Sequence, residues 1–181
     1  MGLGWDGELI RLVPLDFERH FENCYRWIND EEVNRWLCAG DFPMTRLGER
    51  EWFEKAQQPS DSTVHFAIET LDGKHVGQSG IHQINFRHGT ALTGSFIGDP
   101  DERGKGYGTD AAKVRAWYAF HILGLRMLYS EYFAGNDLSR RMQEKTGYRE
   151  YGVRPKAIWK QGEYRDLVLT YFSREDWKAS Q

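Results

Sequence analysis

Apolar and polar positions change period several times along this chain. Residues 8–14 (ELIRLVP) alternate, which predicts a first strand stopped by Pro14. Phe17, Phe21, Cys24, Tyr25 and Ile28 then recur at three- and four-residue spacing. That is the stripe of an amphipathic helix, and Asp16 is placed to cap it. Asn29 or Asp30 caps a second, short helix through Val33, Trp36 and Leu37, which Gly40 ends. Thr45 caps a third over residues 46–57, with Leu47, Trp52, Phe53 and Ala56 on its inner side. Residues 59–62 read as loop.

Period two returns at 64–68, and Asp72-Gly73 is a strong hairpin turn. The next strand covers 75–86 and is weakened or bulged near Gly77 and Gly80. After a turn at 87–89, residues 90–98 form a strand that Asp99-Pro100 stops. Residues 109–123 read as an amphipathic helix carrying Ala111, Ala112, Val114, Ala116, Trp117, Phe120 and Ile122, broken by Gly124. A strand at 126–133 follows. Asn136 opens another helix with Leu138 and Met142 inward and Gly147 as its C-cap. Residues 148–160 form a strand bent at Arg154-Pro155, and 163–172 form the last strand after a turn at 161–162. The order describes one α/β domain over residues 1–181, without internal repeats. The helix between strands 90–98 and 126–133 implies that they run parallel, joined right-handed, with ligands near their carboxyl ends.

One segment falls outside either period. Arg103-Gly104-Lys105-Gly106-Tyr107-Gly108-Thr109 sits between a strand and a helix. Glycine removes side-chain bulk and permits positive φ, so a row of backbone N–H groups can turn toward one point. A helix starting there adds unpaired N–H groups and the positive end of its dipole. This is a phosphate cradle, although a flexible turn with no ligand fits the same glycines. The spacing departs from the P-loop and from the dinucleotide fingerprint that opens a βαβ unit.

Composition narrows the classes. The chain has 181 residues, a formal charge of −3, 28% charged and 14% aromatic residues. These values fit a single soluble domain and give no reason to expect nucleic acid as a partner. No apolar run reaches the length of a membrane span, the opening residues MGLGWDGELI lack a signal-peptide pattern, and Asp6 weakens Met1-Gly2 as a lipidation site. Cys24 and Cys38 form neither a disulfide framework nor a metal motif. The expected setting is cytoplasmic, with no membrane and no metal.

Several motifs together resemble the GCN5-related N-acetyltransferase superfamily, and within it the ribosomal-protein and spermidine acetyltransferase branch. Arg103, Gly106 and Gly108 fit its signature of Arg or Gln, two residues, Gly, one residue, then Gly or Ala. Gly98-Asp99-Pro100 is similar to the branch's approach to that loop. Asn136, Ser139, Glu144, Lys145, Gly147 and Tyr148 fit its later motif, and Gly162 to Asp166 is similar to its final hairpin. Arg11-Leu12, Pro14-Leu15 and Trp27-Ile28-Asn29-Asp30 match its opening.

The resemblance implies a central mixed, mostly antiparallel sheet with flanking helices, whose fourth and fifth strands run parallel and splay. It implies acetyl-CoA as acyl donor, with the pantetheine arm pairing along Phe96 and Ile97. The pyrophosphate would rest on Gly104, Lys105, Gly106, Tyr107, Gly108 and Thr109. Arg103 and Lys105 would add positive charge, or stand as solvated surface residues. Asn136 and Ser139 would reach the cofactor arm, Asn136 also capping its helix. A backbone N–H near Phe96 or Ile97 would stabilise the thioester oxygen. The acceptor is an amine, on a small molecule or a protein N-terminus, and a homodimer is a compatible assembly.

The chain departs from this pattern twice. Gln143 stands where many relatives carry a tyrosine that protonates the thiolate, and glutamine is no general acid. Leu92 stands where many branch members carry a glutamate base. Replacement candidates are His82, Glu131 and Tyr132. Adjacent strand residues face opposite ways, so Glu131 and Tyr132 cannot share a face, and His82 reads equally as a half-buried sheet histidine. The leading expectation is acetyl-CoA-dependent N-acetyl transfer by direct attack in a ternary complex. The alternative is a catalytically weak acyl-CoA-binding or sensing protein.

Overall fold

The computed structural model describes residues 4–180. Met1–Leu3, which carries part of the N-terminal reading, and Gln181 lie outside the described residues. In chain order the strands are β1 (Trp5–Asp6), β2 (Ile10–Pro14), β3 (Val64–Thr70), β4 (His75–Asn85), β5 (Thr90–Ile97), β6 (Met127–Phe133), β7 (Arg149–Lys160) and β8 (Glu163–Ser173). The helices are α1 (Phe17–Ile28), α2 (Glu31–Asn34), α3 (Arg46–Ala56), α4 (Tyr107–Trp117), α5 (Asp137–Thr146) and α6 (Arg174–Ala179). They build one sheet of order β1-β2-β3-β4-β5-β6-β8-β7. Every neighbouring pair is antiparallel except β5 with β6. The mixed, mostly antiparallel sheet and its flanking helices match the expected class.

Local chemistry explains why the elements begin where they do. The side chains of Asp16, Asp30, Thr45 and Asn136 each accept a backbone N–H from the first turn of α1, α2, α3 and α5. Gly147 closes α5 at φ 108°. β7 shifts register between Glu150 and Gly152 and again between Arg154 and Ile158, where Pro155 interrupts the ladder.

Alternation gives the sheet two working faces. Ile10, Leu12, Phe66, Ile68, Ile81, Ala91 and Leu128 pack with Ala111, Ala116 and Phe120 on the α4 side. Val13, Leu15 and Ala67 pack with Phe21, Cys24 and Phe53 on the α1–α3 side.

Some inner-side expectations fail. Leu47 and Leu138 are exposed, because α3 and α5 turn the adjacent stripes of Phe53 and Gln143 inward. α2 ends at Asn34, leaving Trp36 and Leu37 in the following segment. α4 starts at Tyr107, two residues before the expected helix, and a π turn covers Tyr118–Ile122. β1 and α6 were not anticipated; both are too short to show a period.

One long-range contact locks the first hairpin to α4. The buried Asp110 carboxylate accepts the N–H groups of Leu9 (2.7 Å) and Ile10 (3.1 Å) through Oδ2. Asp110→Ala leaves both donors without a partner, so it should cost about 2 kcal/mol in a chemical denaturation curve. Asp110→Asn keeps an acceptor and should recover part of the loss. Equal stability of Asp110→Ala and the parent protein would show that this contact contributes nothing.

Candidate active site

The strands part at a defined point. β5 and β6 pair only at Thr90↔Met127, Ala91↔Leu128 and Leu92↔Tyr129. Beyond that, side chains hold the junction. Thr93 Oγ1 donates to the Tyr129 carbonyl (3.1 Å), and Ser130 Oγ donates to the Thr93 carbonyl (3.0 Å). β5 nevertheless continues to Ile97 and β6 to Phe133, each paired on its outer side with β4 or β8. Between them opens a wedge.

Backbone alternation decides which groups of β5 look into it. The Thr93 carbonyl points toward β6, whereas Gly98 N–H donates to the Val76 carbonyl on the β4 side. Ser95 and Ile97 therefore turn their N–H and C=O groups to the wedge. Phe96 turns its backbone to β4, so the expected pair Phe96 and Ile97 is replaced by Ser95 and Ile97 as wedge-facing backbone. Phe96 contributes its ring, edge-on to Trp27 at 6.2 Å between centroids. Trp27 is buried against Gly98, where a Cβ would overlap its ring. This close approach explains the glycine at the end of the strand.

The glycine loop closes the wedge's wide end. Gly104 (φ +78°) and Gly106 (φ +91°) are left-handed, and Gly106 caps α4 with no side-chain bond. Among the described residues, the N–H groups of Gly104 to Thr109 donate to no protein acceptor; the first bond of α4 runs from Asp110 N–H to the Gly106 carbonyl. A Cβ at Gly108 would stand 3.9 Å from both Ile97 and Met142, so this glycine lines the passage between β5 and α5. Free N–H groups at a helix N-terminus fit a pyrophosphate. The basic residues are less available than expected. Lys105 Nζ is paired with Glu102 (2.8 Å), which also binds Lys74, and Arg103 Nε donates to the Ile97 carbonyl (3.2 Å). Asn136 Oδ1 accepts Ser139 N–H at 3.1 Å, which sets both residues at the start of α5.

The other face of the sheet carries the acid–base candidates. His82 pairs with Leu92 across β4 and β5. Its ring folds over Gly80, where a Cβ would overlap it, and Gly80 in turn lies opposite Gly94. The two glycines leave a bare floor beside the imidazole. His65 stands 5.3 Å from the His82 ring, and Trp52 stands 5.3 Å from His65. Burial first, then the Arg115 charge, lowers the His82 pKa from its ordinary value. Burial, aided by His82, pulls His65 down to about 4. Both imidazoles are therefore neutral near pH 7.

Glu131 lies on the face of β6 opposite Ser130, whose hydroxyl meets α5, and pairs with Arg154 at 3.2 Å. Tyr132 points the other way and donates to Glu150; burial and that carboxylate raise its pKa. Gln143 is buried in a network that gives it Ser130 Oγ as acceptor (3.1 Å) and the Thr170 hydroxyl as donor. Its amide is committed to the junction of β6 and β8, not to a leaving group. Among the described residues no cluster of three or more His, Cys, Asp or Glu side chains is placed to hold a metal. No helix of the described residues is long and apolar enough to cross a membrane.

The acetyltransferase (GNAT) domain family model matches residues 10–149. YjcK of Bacillus subtilis is 31% identical over 145 residues, covering 77% of this chain and 80% of that protein. A GCN5-related N-acetyltransferase from Brucella melitensis superposes with a TM-score of 0.77 at 27% identity, over 97% of this chain and 80% of that one. The spermidine N-acetyltransferase of Vibrio cholerae, solved with CoA and spermine, superposes with a TM-score of 0.85 at 19% identity, over 93% of this chain and 98% of that one. An interrupted parallel pair, an uncapped glycine-rich helix start and a family match across most of the fold lead to one conclusion: this chain belongs to the GNAT family of acetyltransferases.

Proposed function

We propose that the protein transfers an acetyl group from acetyl-CoA to a primary amine by direct attack in a ternary complex. The observation that carries this reading is the wedge, with the Ser95 backbone groups and the Ile97 N–H open on one side and the Gly104 to Thr109 N–H groups at its end. A linear amide-bearing arm pairs with the first and a pyrophosphate with the second. The amine nitrogen bonds to the acyl carbon, the carbon–sulfur bond breaks, and CoA leaves as a thiolate that water protonates. The amine proton passes to His82, directly or through one water. A wedge-facing N–H of β5 meets the oxygen that gains charge. Placing both reactants on one sheet supplies much of the rate.

The acceptor reaches the α1–α3 face, past Glu131 and the bare Gly80–Gly94 floor. Small amines and protein N-termini both remain substrates of this reading, in a cytoplasmic setting. The exposed Tyr151, Val153, Trp159 and Tyr164 of the β7–β8 hairpin are the surface through which two copies would pair.

A second reading, an acyl-CoA-binding sensor, draws support from Leu92 and from the committed Gln143. One experiment separates them. Calorimetry should show acetyl-CoA binding, and a thiol-release assay across polyamines, amino sugars and short peptides should show CoA release that depends on the amine. Binding without release from any amine favours the sensor. No binding at millimolar acetyl-CoA removes both readings.

A further inference from the structure

Arg115 is 1% exposed and has no carboxylate partner among the described residues. Its Nη1 donates to Ser79 Oγ and to the Gly94 carbonyl, both at 2.9 Å, and its Nε has no partner. Burying a guanidinium on neutral acceptors alone is costly, and an apolar side chain of similar length fills such a site more cheaply. The last turn of α4 offsets part of the cost, since its carbonyl end favours a cation. Packing alone gives no reason for a charge at this position.

Its location supplies one. Ser79 points to the α4 face and Gly80 to the other, so Arg115 approaches the Gly80–Gly94 pair from below. The His82 ring lies over Gly80 from above, while the space over Gly94 is open. Neither glycine carries a side chain that would hold the two groups apart. The remaining neighbours of His82 carry little charge. β3 presents His65, α3 presents Trp52 beyond it, and β5 presents Leu92. The α3 carboxyl of Glu49 lies toward Cys24, and burial raises its pKa toward the neutral form. Arg115 from α4 is the charge that this imidazole meets.

We propose that Arg115 is a positioning residue for acyl transfer, a buried cation beneath the Gly80–Gly94 pair that keeps the imidazole above it in its neutral, proton-accepting form. The proposal rests on the reading of His82 as the base. A positive charge disfavours a second one nearby, so protonation of His82 is postponed to lower pH. Arg115 also polarises the Gly94–Ser95 peptide, whose N–H looks into the wedge.

The test compares Arg115→Met, Arg115→Gln and Arg115→Lys in the full chain. NMR follows the His82 ring through a pH titration, and kcat/KM is measured with one amine across the same range. The glutamine variant keeps hydrogen bonding without charge, so it remains informative should the methionine variant misfold. Both neutral variants should raise the His82 midpoint by about one pH unit and move the acid limb of the rate profile the same way. Lysine should hold both near the parent values. In a His82→Ala background the Arg115 substitutions should leave the limb in place. An NMR midpoint unmoved by loss of the charge overturns the role of Arg115. Parent-level turnover in His82→Ala instead overturns the reading of His82 as base, which the NMR titration does not depend on.

Discussion

Gly106→Val is expected to weaken acetyl-CoA binding by about a hundredfold or more. Space is not the obstacle, because a Cβ at this position meets only the flexible end of Leu9, at 3.1 Å. The obstacle is φ +91°, a left-handed conformation that a β-branched residue strongly resists. Relaxing it turns the N–H groups of residues 106 to 109 away from their common point. Each charge-assisted bond to a phosphate is worth about 1.5–3 kcal/mol, and each 1.4 kcal/mol is about tenfold in affinity. Losing two such bonds reaches the stated effect. Gly104→Asn is the control. That site is left-handed at +78° with open space around it, and asparagine tolerates this region, so the loss should be small. Calorimetry on the two variants reads the difference. Comparable affinity for Gly106→Val and the parent would mean that the loop does not hold the pyrophosphate.

His82→Ala should lower kcat/KM for the amine by about a hundredfold or more, the range a positioned general base contributes. Acetyl-CoA binding should stay near the parent value, because His82 lies on the opposite face of the sheet from α4. The pH dependence has a definite sign. His82 has a lowered pKa, so it remains neutral below the ordinary histidine range and its loss of function begins only at more acidic pH. The same sign applies to stability. The unfolded chain takes up protons at ordinary histidine values, while folded His65 resists protonation until about 4. Stability from this source is present above the ordinary value and is lost as pH falls from there toward about 4. Full turnover in His82→Ala would return the reaction to positioning alone, with solvent as the base.

Local chemistry made much of this molecule readable from its sequence. The loop announced itself because glycine is the residue that takes the positive φ of positions 104 and 106 most freely. The caps at Asp16, Asp30, Thr45 and Asn136 were visible because each acts on a donor two or three residues away. The parallel pairing followed from one crossover helix. What stayed hidden depends on residues far apart in the chain. Asp110 reads as an ordinary first-turn acid until its partners at positions 9 and 10 are in place. Arg115 reads as the polar side of α4, yet it is buried because Ser79 and Gly94 supply its acceptors. Phe96 and Ser95 could not be told apart by side chain, since the choice rests on which backbone groups face the wedge. Leu47 and Leu138 misled because either of two adjacent stripes could face inward.

The unpaired row on β5 has a consequence for solubility. Exposed strand edges invite pairing with other chains, and proteins guard them with charges, proline or bulges. The free edge between β5 and β6 needs no such guard. It lies inside the sheet, is shut at its base by Thr93 and Ser130, and is covered on one face by α4 and α5. A second protein strand carries side chains on both faces and cannot thread that space. A slender chain with amides along an unbranched stretch can. The fold thus keeps backbone donors and acceptors ready for one shape of ligand while withholding them from aggregation.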